Sequence, residues 1–184
     1  MATRSLALAG ALALGLGLTA ATAVAQISGS GGPIMMGADN LEVIDAEGVQ
    51  IWSGRAEATQ GNNRMRANVI RAYHAGGGNR SGAPGGGLSG DIVRMVAEGD
   101  VYFVSRSEGQ PDQVIRGDQA VYTRDTDTIV VTGQVIMTQG ENVLTGSRLT
   151  VNNTTGRAVM DGAPTEAGRR VRGVFYPENR PQTR

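Results

Sequence analysis

The chain of 184 residues has no cysteine, no lysine, one histidine, one tryptophan and two phenylalanines. Each shortage excludes something. Without cysteine no disulfide can staple the fold and no thiolate site can form, so stability must come from strand pairing and a continuous core. With His74 as the lone imidazole, Ser-His-Asp chemistry has a single candidate base, and that base opens onto a glycine-rich stretch that holds it poorly. One His with scattered carboxylates also lacks metal-ligand spacing, and we read His74 as a surface residue. Asp112, Asp118, Asp125 and Asp127 fall in turns and match no calcium loop. No catalytic residue, metal or cofactor is expected. The 17 basic residues, all arginine, balance 17 acidic ones, so no broad field favours a nucleic-acid partner. The cluster Arg169, Arg170 and Arg172 reads as a solvated strand edge. Finally, no apolar i, i+3, i+4, i+7 pattern persists over three turns after residue 25, which excludes a helical body.

What is present begins with a leader. Arg4 supplies a positive n-region, Leu6 to Leu18 an apolar run of 13 residues, and Ala23-Val24-Ala25 a small-x-small cleavage site. Residues 1–25 therefore read as a cleaved secretory signal peptide, the alternative being a retained anchor helix. A flexible Gly/Ser leader at 26–32, one domain at 33–177 and a disordered tail at 178–184 follow. Eight glycines within residues 76–90 make that stretch a flexible excursion on one hairpin. It lacks the Lys-Ser/Thr and the helix that a phosphate-cradling loop requires.

The domain is organised around a repeat. Val114-Ile-Arg-Gly-Asp-Gln-Ala-Val-Tyr-Thr123 with Ile129-Val-Val-Thr-Gly133 recurs 29 residues on as Val143-Leu-Thr-Gly-Ser-Arg-Leu-Thr-Val-Asn152 with Ala158-Val-Met-Asp-Gly162. A fainter copy lies 79 residues upstream, where Asp39, Ser53-Gly54 and Thr59-Gln60-Gly61 correspond to Asp118, Thr132-Gly133 and Thr138-Gln139-Gly140. Such periods mark stacked β units, each with an apolar face that only a neighbour can cover. The glycines read as breaks between strands, giving an all-β protein of a dozen or more short strands. Inward positions are assigned by spacing from them: Ala56, Ala58, Val101, Phe103, Val135 and Met137 after, Trp52, Ala97, Val131 and Met160 before. Partner strands add Tyr122, Leu144, Leu149 and Val151. These residues build two apolar walls that either meet as a dry sandwich core or enclose a slot. So few large side chains point toward a slot lined for acyl chains.

The chain also resembles a known family, the OstA-like lipopolysaccharide-transport proteins of the LptA group. The resemblance runs from Pro33 to Pro177. It rests on Pro33-Ile34, on Trp52-Ser-Gly-x-Ala-x-x-Thr-Gln-Gly61, on Arg66-Ala-Asn-Val-Ile70 and on Gly117-Asp-Gln-Ala-Val-Tyr122 with Val130-Val-Thr-Gly133. Gly146-Ser-Arg-Leu-Thr150 and Arg170-Val171 before Pro177 complete it. It implies a twisted β-jellyroll of stacked antiparallel strands, open along one seam, whose apolar interior holds lipid A acyl chains. Ile34 and Val151 fall on the family's lining positions. The resemblance further implies a periplasmic carrier that self-associates head to tail, linking an LptC-like inner-membrane partner to an LptD-like outer-membrane translocon. The edges for that pairing would carry Ile34 and Met36 at one end, Val171, Val174 and Tyr176 at the other. Two departures stand out: the 76–90 excursion replaces a short turn, and the family's usual lysines are absent. An LptC-like anchored component and a secreted carbohydrate-binding module are the rival readings, the latter needing an exposed aromatic platform that Trp52 alone could supply.

Overall fold

The structure, a computed structural model, describes residues 32–75, 91–163 and 170–177. The signal peptide, most of the leader, the glycine-rich excursion, the turn at 164–169 and the tail lie outside the described residues. Within them every regular element is a strand: β1 (Met35–Gly37), β2 (Asn40–Ile44), β3 (Val49–Gln60), β4 (Asn63–His74), β5 (Ile92–Ser105), β6 (Gln113–Thr123), β7 (Thr128–Gln139), β8 (Asn142–Asn152), β9 (Arg157–Asp161) and β10 (Arg172–Val174). No helix among them is long and apolar enough to cross a membrane.

All ten strands form one antiparallel sheet. β3 to β8 pair in chain order, while β1 and β2 share β3, and β9 and β10 share β8. The two edges do not pair with each other, so the sheet stays open along one seam. Turns fall where their residues demand. Gly48, Gly61, Gly140 and Gly156 all take positive φ at strand connections, the backbone region that glycine enters without steric cost.

The glycines inside the strands do something other than break them. β3 runs continuously through Ser53-Gly54, β5 through Gly99 and β7 through Gly133, so the expected dozen short strands become fewer, longer ones. Each glycine sits at a bulge: Gly54 and Arg55 have φ of 79° and 48°, Gly99 and Asp100 have 77° and 49°, and Gly133 has 103°. Pairing skips between Ser53 and Ala56, Glu98 and Val101, and Thr132 and Val135, with one extra residue on the glycine strand each time. The residue opposite is short and polar: Asn68, Asp118 or Ser147. Aligned across neighbouring strands, the bulges form a crease along which the whole sheet bends, since a bulge turns its strand and adds twist. The edge strand breaks on the same line, between β1 and β2, where the amide of Asp39 donates to the carbonyl of Gly54 at 2.8 Å.

The crease also fixes which side chains point inward. On β3, β5 and β7 alternation runs straight through the glycine. On β4, β6 and β8 the inward parity switches, from Ala67 to Ile70, from Ile115 to Ala120, and from Leu144 and Gly146 to Leu149. Close approach at the bend explains the repeated glycine. A Cβ on Gly117 would lie 2.5 Å from Val131 Cγ1, and one on Gly146 would lie 2.7 Å from Met160 Sδ. The 29-residue repeat is thus the same corner built twice. Side chains from both sides of the crease form a single core, including Ile70, Ala97 and Leu149 from one half and Phe103, Ile115 and Val135 from the other.

Candidate functional site

Between the two halves of the bent sheet lies a cavity of about 800 Å³. Its apolar wall comes from five long strands and the N-terminal edge: Trp52 and Ala58 on β3, Met65 on β4, Ile92, Met95 and Phe103 on β5, Ile115, Ala120 and Tyr122 on β6, Ile129 and Val131 on β7, with Ile34 and Met36 at the edge. The cavity arises where inward positions are small. Ala56, Ala58, Ala67, Ala72, Ala97 and Ala120 are all buried, and all lie on β3 to β6. On β7 and β8 the buried apolar positions are Ile129, Val131, Val135, Leu149 and Val151, with no alanine among them. Of these alanines Ala58 and Ala120 line the cavity itself, and a small inward side chain there leaves room that a valine or leucine would fill.

The polar lining residues gather in two groups at strand ends. Thr59, Gln60, Asn63 and Arg64 stand at the β3–β4 turn, where Gln60 Nε2 donates to the carbonyl of Gly32 at 2.9 Å. Arg64 donates to Glu57 at 2.5 Å and Arg66 donates to the same carboxylate at 3.1 Å. These two guanidiniums, Arg64 first, hold the Glu57 carboxyl below its usual range. At the opposite ends of the strands stand Gln50, His74, Asp91 and Arg124. Trp52 Nε1 donates to Gln50 Oε1 at 3.2 Å, which fixes the indole against the cavity wall. Asp91 and Arg124 pair at 2.8 Å, and this carboxylate raises the Arg124 pKa.

Of the residues expected to line a slot, Ile34, Trp52, Phe103, Tyr122 and Val131 line the cavity. Val101, Val135, Leu149 and Val151 are buried in the core but do not line the cavity, and Met137 packs against that core. Leu144 is half-buried on β8, opposite Met137 and Gly173. Trp52 faces the cavity and so offers no exposed platform of the kind a carbohydrate module uses. His74 is half-buried at the cavity rim, where the sequence pointed to the surface.

Spacing had stopped short of Met65, Ile92, Met95, Ile115 and Ile129. The same glycine ruler reaches two of them when extended: Met95 and Ile129 lie four residues before Gly99 and Gly133, as the lining Gln50 does before Gly54. Met65 and Ile115 lie two before the small inward residues Ala67 and Gly117.

The edges carry exposed apolar groups. Met35, Leu41 and Ile34 stand at one end; Val171, Val174, Phe175 and Tyr176 at the other. Met36 is half-buried because it faces the cavity. The last strand is shorter than Val171 to Tyr176 and covers Arg172–Val174 alone, paired with Val143 to Thr145. No group of three or more potential ligands for a metal occurs among the described residues.

Comparison with known proteins places this architecture. The family model for LptA and the LptD N-terminal domain, lipopolysaccharide-transport proteins, matches residues 36–157. An uncharacterised protein of Rhizobium meliloti (strain 1021) is 30% identical over 150 residues, which is 80% of this chain and 73% of that protein. In three dimensions the chain is similar to LptH, described as the LptA-homologous periplasmic component of the lipopolysaccharide transport device of Pseudomonas aeruginosa. The TM-score is 0.64 at 17% identity, covering 79% of this chain and 96% of that one. That likeness shows a shared jellyroll fold. The chain belongs to the LptA/LptD N-terminal-domain family of lipopolysaccharide-transport proteins.

Proposed function

We propose that the protein carries lipopolysaccharide through the periplasm, taking acyl chains of lipid A into the cavity between the two halves of its sheet. The observation that carries this reading is an apolar cavity of about 800 Å³ in a chain of this family. Each CH₂ moved from water into such a wall gains about 0.8 kcal/mol, so shielding the chains lowers the barrier to crossing an aqueous compartment without any covalent step. The volume falls in the range of about 300–1,000 Å³ that holds a drug-sized ligand, so it receives part of a multi-chain lipid at once. The remaining chains lie along the seam between the unpaired edges.

The edges supply the coupling. Among the described residues β1 and β2 pair with β3 alone, and β9 and β10 with β8 alone, leaving backbone donors and acceptors free for another chain's strand. Head-to-tail stacking through these edges, with an LptC-like partner at one end and an LptD-like partner at the other, would extend the seam from membrane to membrane. The test is photo-crosslinking to lipopolysaccharide from probes placed at Met95, Phe103 and the exposed Gln134. We expect lipid adducts from the first two and none from Gln134. Equal labelling at all three, or no saturable binding by the purified protein, would overturn the reading.

A further inference from the structure

The two polar rims of the cavity are not equivalent. At the β3–β4 turn one carboxylate is held by two guanidiniums: Glu57 accepts from both Arg64 and Arg66, and Gln60 ties the rim to the N-terminal edge. At the other rim the single ion pair is loose. The side chains of Arg124 and Asp91 are 49% and 72% exposed, and an exposed pair of this kind is weakly held. Backbone geometry brings three groups together there. Ala75 donates to the carbonyl of Asp91 at 2.9 Å on one side of β5, and Arg124 donates to that of Val93 at 3.0 Å on the other. The start of β5 is therefore flanked by His74 at the end of β4 and Arg124 just past the end of β6, and both side chains line the cavity. Just inside them the wall turns apolar at Ile92, Met95, Tyr122 and Ile129. An amphiphile with its tails in the cavity would hold its polar end against this rim.

We propose that Arg124, with His74 across the start of β5 from it, forms a subsite for a phosphate monoester on the headgroup of the carried lipid, and that Asp91 is the counter-ion the phosphate displaces. The proposal rests on the carrier reading above and adds a direction to it: tails between the halves, phosphate at the β4–β5–β6 rim. A guanidinium forks onto two oxygens of one acceptor, and a phosphate presents three oxygens with more charge than a carboxylate. Asp91, nearly free in solvent, gives way at little cost, whereas the Glu57 pair at the other rim has two arginines to satisfy.

The full-length mature protein can be titrated with phosphorylated lipid A, with dephosphorylated lipid A bearing the same acyl chains, and with inorganic phosphate. Wild-type protein should bind the phosphorylated lipid about tenfold more tightly than the dephosphorylated one, the effect of one charge-assisted contact. Arg124→Gln should remove that difference by weakening the phosphorylated lipid about tenfold more than the dephosphorylated one. Asp91→Asn, which deletes the competing carboxylate, should tighten the phosphorylated lipid and so move in the opposite direction. The proposal is overturned if Arg124→Gln weakens both lipids alike, if Asp91→Asn weakens the phosphorylated one, or if inorganic phosphate binds as well as the lipid does. Binding of both lipids with equal affinity by wild-type protein would remove the subsite and leave the carrier reading standing. Binding of neither would remove both.

Discussion

β3 to β6 and β7 to β9 are built on the same corner, with the same bulge and inward ruler, yet the first region supplies most of the cavity wall, while the second contributes Ile129 and Val131 and is otherwise filled. The difference lies in side-chain volume at matched positions. Ala56 and Ala58 follow Gly54 where Val135 and Met137 follow Gly133, and Ala120 stands on β6 where Leu149 stands on β8, 29 residues later. Backbone geometry sets the distance between the halves. Whether that distance is bridged is then decided residue by residue, and the cavity is the region where it is not. Shape and ligand capacity are therefore separable in this fold.

That separation is tested most strongly by exchanging the two characters. Leu149→Ala in the filled region removes a side chain that is 1 % exposed and should cost about 2–5 kcal/mol, read as a lowered denaturant midpoint. Ala120→Leu in the hollow region should leave stability within about 1.5 kcal/mol, because the added methylenes enter existing space. It should nevertheless weaken lipid binding sharply. A large loss of stability from Ala120→Leu, or undiminished binding, would show that the alanines do not create the site.

An effect of intermediate size is expected at the bend shared by both regions. Gly133 has φ of 103°, and a Cβ there would lie 2.0 Å from Asp118 Oδ2. Gly133→Val should destabilise by about 2 kcal/mol or more through backbone strain and displacement of Asp118. Gly109 has a positive φ with nothing within 4 Å of an added Cβ, so substitution there should cost less. Equal costs would mean that the bend itself contributes nothing beyond backbone strain.

Strand content, the 29-residue repeat and the inward phase next to each glycine were legible in the sequence because they are local. Alternation and turn residues act over a few positions, and the 29-residue offset repeats a contact between adjacent strands. The meaning of the internal glycines was not legible. Gly54, Gly99 and Gly133 look like strand ends until pairing reveals Asn68, Asp118 and Ser147 opposite them. The parity switch on β4, β6 and β8 follows from that pairing, so Met65 and Ile115 escaped a ruler laid along single strands. Lining and filling residues were likewise indistinguishable. Val131 and Val135 have the same type and phase, and only the volume facing each one separates them.

The smallest expected effect is electrostatic. Glu57, held low chiefly by Arg64, and Glu98, held low chiefly by Arg71, have folded-state pKa values below their unfolded ones. Their contribution is present above the unfolded carboxylate value of about 4.3 and is lost as pH falls through the depressed folded values. Because both pairs are a third or more exposed on at least one side, the loss should be slight and should shrink with added salt. Glu57→Gln and Glu98→Gln should flatten the acid limb of the stability profile. An unchanged limb would assign acid sensitivity to other carboxylates.

Trp52 provides the most direct measurement. It is the sole tryptophan of the chain and its indole lines the hollow region. Titration with lipopolysaccharide carrying brominated acyl chains should quench its fluorescence saturably, and Ala120→Leu should abolish the quenching. Tight lipid binding that leaves Trp52 emission unchanged would place the acyl chains elsewhere and contradict the account.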